Sequence, residues 1–159
     1  PSVEIGPLIN KDATKKISKI LDDAVSKGAK ILLGGTKHNY GDNFVQPTIV
    51  TNISDDMLIC STEIFGPVAA IYPFDDEKEI IKIANNTRAG LAAYFYGKNN
   101  SKIWKTAEGL EYGMVGVNTG LISTTIAPFG GVKESGFGRE GSKYGINEYI
   151  VLKYICMKI

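Results

Sequence analysis

Glu63 and Phe65, separated by one residue in Glu63-Ile64-Phe65-Gly66-Pro67, carry side chains suited to holding a nucleoside. A carboxylate accepts hydrogen bonds from ribose hydroxyls, and an aromatic face supports a flat nicotinamide ring. Read in isolation, the same five residues start a strand that a turn ends, and that simpler reading prevails. A second candidate stretch holds Ser123, Pro128 and Phe129. A serine hydroxyl there can donate to a carboxylate, and a phenylalanine can wall a small pocket. An ordinary polar turn followed by a packed aromatic accounts for these residues equally well.

Other chemically suggestive residues carry less. Gly136-Phe137-Gly138-Arg139-Glu140-Gly141 has the spacing G-x-G-x-x-G, but Lys133-Glu134-Ser135 precede it and no βαβ pattern follows. A dinucleotide-binding turn needs an apolar strand before it and an acidic residue ending the next strand. These glycines are therefore expected to permit tight turns beside other chain segments. Cys60 and Cys156 read as small structural residues, since no base lies near Cys60 in sequence. His38 is the only histidine, too little for a zinc site. Of the two arginines, Arg139 is expected to hold its loop and Arg88 to flank a helix end near Asn85-Asn86-Thr87.

The elements that position these residues follow from periodicity. Over 11–27 the pattern predicts a helix with Ile17, Ile20, Leu21, Ala24 and Val25 on one face and most lysines on the other, stopped by Gly28. A short buried strand is expected over 29–33, a loop over 41–47 and a strand over 48–50. A strand over 68–72 leads to a helix whose start has a capping-box spacing at Asp76 and Glu79 and whose inner face is Ile80, Ile81, Ile83 and Ala84. A strand over 91–96, a helix over 101–110 with Ile103, Trp104 and Ala107 inward, and a strand over 114–118 complete the alternation. Such alternation argues for an α/β layer with parallel pairing. Residues 119–142 form a long Gly-rich loop region, followed by a short helical stretch over 142–146 and an apolar terminal strand over 148–159 in need of a partner. No repeat or linker interrupts the chain, which reads as one domain.

Composition excludes several function classes. The chain has 159 residues, 43% hydrophobic and 22% charged, with a net charge of +1. That is an ordinary globular balance with no basic footprint for nucleic acid or anionic membrane. No apolar run is long enough to span a bilayer, and no signal-peptide pattern is present. Two distant cysteines suggest neither a disulfide framework nor a metal site, and a cytoplasmic location is expected. An initial Pro1 fits a fragment or a processed chain.

Together, Glu63-Ile64-Phe65-Gly66-Pro67 and Pro128-Phe129-Gly130-Gly131-Val132-Lys133-Glu134-Ser135-Gly136-Phe137-Gly138-Arg139-Glu140 resemble the aldehyde dehydrogenase superfamily. The resemblance runs from Ile5-Gly6-Pro7-Leu8 to the terminal strand. Four further stretches look like the succinate-semialdehyde dehydrogenase branch: Gly90 to Tyr96, Leu110-Glu111-Tyr112-Gly113, Gly141 to Ile146 and Lys153-Tyr154-Ile155-Cys156. The resemblance implies the C-terminal part of the catalytic domain, an α/β fold with a parallel-sheet core and flanking helices, over residues 1–147. Residues 148–159 would then be the terminal strand of the oligomerisation region of a homo-oligomer, dimer or tetramer.

It also implies roles. Glu63 and Phe65 would contact the nicotinamide riboside of NAD or NADP, Ser123 would bind the substrate carboxylate, and Phe129 would wall the aldehyde pocket. In such enzymes a cysteine thiolate adds to the carbonyl, hydride passes to NAD(P), and a glutamate base assists hydrolysis of the thioester. The resemblance places that cysteine and that glutamate upstream of this stretch, so no catalytic residue is expected here and the chain alone is expected to be inactive. The alternative is a non-catalytic module that pairs with a neighbour through its terminal strand.

Overall fold

A computed structural model describes residues 4–159. Where the sequence reads as one domain, the structure divides into two compact units, Pro1–Pro73 and Phe74–Ile159. The boundary falls at Pro73–Phe74, which no Gly/Ser-rich linker announces.

The first unit is built on α1 (Lys11–Ser26). Asn10 caps it, its side-chain oxygen accepting the Ala13 N–H at 2.9 Å, and Gly28 ends it in a left-handed conformation with φ 102°. The apolar face buries Ile17, Ile20, Leu21 and Ala24 against Ala29, Val50, Met57 and Ile59. Each large aliphatic buried there contributes about 1.5–3 kcal/mol, which makes this face the chief stabiliser of the unit. Val25, expected on the same face, is exposed, while Lys16 is drawn partly inward.

Beside α1 lies a three-stranded sheet in the order β1-β2-β3, formed by Lys30–Leu33, Thr48–Thr51 and Val68–Ala70. β1 runs antiparallel to β2, with a bulge between Ile31 and Leu33, and β2 runs parallel to β3. The expected burial of β1 is not met: Ile31, Leu32 and Leu33 are all exposed. An apolar run shows which residues avoid water but not what covers them, and β1 is an edge strand. A one-turn helix, α2 (Leu58–Ser61), is tied back to α1 by the Leu58 N–H, which donates to Asp23 Oδ2 at 2.7 Å.

In the second unit α3 (Glu77–Asn85) starts at Asp76, whose carboxylate accepts the Lys78 N–H at 2.7 Å. The inner face Ile80, Ile81, Ile83 and Ala84 is half-buried. β4 (Ala89–Gly90) pairs antiparallel with β7 (Val132–Lys133), and β5 (Ala92–Phe95) pairs parallel with β6 (Met114–Val117). The helix between β5 and β6, α4 (Asn100–Gly109), is capped by Asn99. The strand–helix–strand run from β5 to β6 is thus the α/β unit that the alternation predicts.

One expectation fails in this unit. Trp104 is 69% exposed on α4 rather than turned inward, because Ile103, Thr106 and Ala107 supply the half-buried face. Within this chain the terminal segment takes no strand partner: Gly145–Tyr149 is a 3₁₀ turn, and residues 150–159 are exposed without regular structure. A strand exists only through hydrogen bonds to a neighbour, and none pairs with this segment among the described residues.

Candidate functional site

Glu63 and Phe65 leave α2 on the way to β3, and the structure brings them to one place. They line a hollow of about 670 Å³ in the first unit, together with Pro7, Leu8, Ala13 and Lys16. Phe65 is 80% exposed and holds φ 48°, the left-handed region that a phenylalanine rarely adopts. The geometry has a local cause. Gly66 sits so close to the buried Ile17 that an added Cβ there would overlap its Cδ1, and the Gly66 carbonyl accepts the Val68 N–H at 2.8 Å as β3 begins. The chain must therefore double back at Phe65, and doing so turns the ring away from the core. A bare aromatic face, a carboxylate and an ammonium around one open hollow suit a flat ring joined to a ribose.

Lys16 was not foreseen. It lies three residues from Ala13 and four from Ile20 on α1, at the spacing of the buried face. A lysine interrupting an apolar stripe was the available signal. A larger hollow of about 1030 Å³ lies along another side of α1, where Lys11 and Asp42 pair at 2.7 Å.

Phe129 lines a separate hollow of about 610 Å³ in the second unit, with Ser135, Phe137, Arg139, Glu148 and Tyr149. Its backbone exchanges two hydrogen bonds with Glu140, at 2.9 and 2.7 Å, closing a hairpin over the glycine-rich stretch. Gly136, Gly138 and Gly141 all have positive φ, so the G-x-G-x-x-G spacing serves turns, as expected. Arg139 is the strut of the hairpin: its Nη1 donates to the Gly131 and Gly138 carbonyls at 2.8 and 2.7 Å. Arg88 follows the end of α3, and its Nε donates to Glu134 Oε1 at 2.8 Å on the surface.

Ser123 is exposed on the loop after β6, outside the residues that line the Phe129 hollow. The loop departs from Asn118, whose side chain bridges to Gly97. The surroundings of Cys60 disfavour its thiolate. Desolvation of the sulfur, with Asp55 and Asp56 nearby, pushes the Cys60 thiol up, and so holds it protonated near neutrality. Cys156 lies in the exposed terminal segment. Among the described residues no group of three His, Cys, Asp or Glu side chains converges, and no helix is long and apolar enough to cross a membrane.

Comparison with known proteins places these features in context. Residues 1–155 match the aldehyde dehydrogenase family. The mitochondrial succinate-semialdehyde dehydrogenase of Oryza sativa subsp. japonica is 57% identical over 156 residues, covering 98% of this chain and 30% of that protein. The human mitochondrial succinate-semialdehyde dehydrogenase is 56% identical, covering 95% of this chain and 28% of that protein. The chain thus spans about a third or less of the length of these relatives.

Among solved structures, the succinate-semialdehyde dehydrogenase of Burkholderia pseudomallei superposes with a TM-score of 0.94 at 50% identity, over 98% of this chain and 32% of that one. An E. coli NADP dependent enzyme gives a TM-score of 0.96 at 48% identity, over 99% of this chain and 33% of that one. An NAD+ complex of the Bacillus cereus aldehyde dehydrogenase gives 0.88 at 37% identity, over 92% and 30%. The expected cytoplasmic location is corrected by these findings, since the rice and human relatives are named mitochondrial. Two free thiols argue at most for a reducing compartment, and the cytoplasm is not the only one.

Proposed function

The chain belongs to the aldehyde dehydrogenase family, and from that premise we propose that it is the C-terminal part of an NAD(P)-dependent dehydrogenase that oxidises succinic semialdehyde to the acid. The observation that carries this reading is Phe65, an exposed ring on a left-handed backbone beside Glu63. Glu63 accepts hydrogen bonds from the ribose hydroxyls, Phe65 supports the nicotinamide face, and Lys16 supplies positive charge on the same rim. With Glu63, Phe65 and Lys16 holding its riboside end, NAD(P) would supply the hydride acceptor for the aldehyde carbon. Ser123 donates to the substrate carboxylate and Phe129 walls the pocket. The choice of succinic semialdehyde rests on the rice, human and Burkholderia relatives. Relatives described with NADP and with NAD+ leave both cofactors in the proposal.

Residues 1–147 act as part of the catalytic domain in this reading, and 148–159 as the oligomerisation segment of a homo-oligomer. The 159-residue chain by itself has no activity in this reading, because the family's cysteine nucleophile and glutamate base are not among its residues. The test is reduced-nicotinamide absorbance with succinic semialdehyde and either cofactor. The complete enzyme should turn over and the 159-residue chain should not. Turnover by the chain alone would remove the inactivity claim, and indifference of the complete enzyme to succinic semialdehyde would remove the substrate.

A second reading has its own support in the terminal segment, where Val151, Leu152, Tyr154 and Ile155 are all exposed. As a non-catalytic module the chain would pair with a neighbour through these residues. Light scattering should then show association that deletion of 150–159 abolishes. A monodisperse monomer at high concentration would exclude the pairing.

A further inference from the structure

Asn118 stands just past the end of β6, where the chain leaves the sheet for the loop that carries Ser123. Its backbone N–H donates to the Phe95 carbonyl at 2.9 Å, the last ladder bond between the two parallel strands. Beyond that rung the side chain takes over. The Asn118 amide oxygen accepts the Gly97 N–H at 2.8 Å, and the amide nitrogen donates to the Gly97 carbonyl at 2.8 Å. A single planar amide thus satisfies both backbone groups of Gly97, the second residue after β5. Asn118 also holds φ 56°.

These two demands select asparagine. Left-handed backbone is disfavoured for most L-residues, with Gly, Asn and Asp the tolerated exceptions. Of those three, only Asn carries both a donor and an acceptor on one short side chain. Asp offers no donor when ionised, and Gly offers no side chain. The cross-brace is also not explained by core packing, because Asn118 is exposed and so is the loop that follows. What the brace fixes is the direction in which that loop departs. Within the loop the Leu121 N–H donates to Thr119 Oγ1 at 3.1 Å, which carries the constraint two residues nearer to Ser123.

We propose that Asn118 is a positioning residue for substrate recognition: its brace to Gly97 and its left-handed turn hold the loop so that the Ser123 hydroxyl meets the substrate carboxylate. The proposal rests on the carboxylate-binding role given to Ser123 above. Asn118 touches no substrate and acts only through the loop. Its loss is therefore felt by carboxylate-bearing aldehydes and not by uncharged ones.

The test uses the complete enzyme, with KM and kcat measured for succinic semialdehyde and for butanal, an uncharged aldehyde of the same chain length. Ser123→Ala should raise KM for succinic semialdehyde about tenfold, the worth of one hydrogen bond to a charged group, and leave butanal unchanged. Asn118→Gly keeps the left-handed turn and deletes the brace. It should raise KM for succinic semialdehyde in the same direction, with kcat within about twofold of the parent. The double variant should be no worse than Ser123→Ala alone, since both changes remove one interaction. Asn118→Asp keeps the acceptor for the Gly97 N–H but sets a carboxylate oxygen against the Gly97 carbonyl, so it too should raise KM for succinic semialdehyde and not for butanal, and it serves as the comparison if the glycine variant fails to fold.

The outcomes separate the two claims. A silent Ser123→Ala overturns the carboxylate site and the brace's function with it. An effective Ser123→Ala beside a silent Asn118→Gly overturns the brace alone. Equal losses on both aldehydes, or full additivity in the double variant, reduce Asn118 to a general structural residue and also overturn the proposal.

Discussion

Gly113→Ala should destabilise the second unit by about 2 kcal/mol, through backbone that cannot yield cheaply. A Cβ at Gly113 would stand 2.7 Å from the Gly131 Cα and overlap the Gly130 carbonyl as well. Ordinary contact begins near 3.4 Å, so the Gly130–Gly131 segment must retreat by about 0.7 Å or more. Flanking bonds hold the same place: Gly113 N–H to the Gly90 carbonyl and Met114 N–H to the Leu91 carbonyl, each at 3.0 Å. Two such bonds weakened together cost about 1–3 kcal/mol, which agrees with the usual cost of overpacking. In a unit of this size that lowers the midpoint by roughly 10 °C.

Trp104, the only tryptophan, lies in this unit and reports its unfolding by fluorescence in heat or urea. Gly120→Ala is the control, with nothing within 4 Å of an added Cβ and an expected change within about 0.5 kcal/mol. Equal midpoints for Gly113→Ala and the parent, or equal losses for the two variants, would refute the reasoning.

Phe65 offers a reversal of the usual ranking of alanine over glycine. Because φ is 48° and the ring is exposed, Phe65→Gly should be at least as stable as Phe65→Ala by urea denaturation. Both should weaken cofactor binding by the complete enzyme about tenfold, as loss of one stacking face does, and undiminished affinity would remove Phe65 from the site. Asp23 predicts an acid limb. The Leu58 N–H first, and the Lys27 ammonium second, hold its carboxyl below the usual range. A carboxyl depressed in the folded state contributes stability above its unfolded pKa and loses it as pH falls through the folded one. The stability difference between parent and Asp23→Asn should therefore shrink on acidification in urea titrations, and a difference constant with pH would contradict the assignment.

Periodicity found what local forces dictate. The face of α1 was legible because Ile17, Ile20, Leu21 and Ala24 repeat at helical spacing, and its C-terminal end because Gly28 acts within a turn. Glu63 and Phe65 were legible as candidates through the family resemblance, but their joint hollow was not, since it depends on Gly66 meeting Ile17 from α1. Lys16 and the Asn118 brace escaped for the same reason, because each is defined by a partner distant in sequence. Trp104 and β1 erred in the opposite direction. Apolar character was read as burial, although burial requires a covering surface that no run of residues specifies by itself.

The division at Pro73–Phe74 has a consequence for biosynthesis. Every buried residue of the first core lies between Ile17 and Ile59, and its last strand, Val68–Ala70, follows soon after. The ribosome therefore synthesises all the partners of that core before α3, and the segment can close while later parts of the chain are still being translated. Pairing of β2 with β3 supplies the final hydrogen bonds of that early step. A pause in elongation once Val68–Ala70 has emerged from the ribosome would favour orderly acquisition of structure, whereas a break in synthesis before Val68 would leave the Thr48–Thr51 edge open to intermolecular pairing.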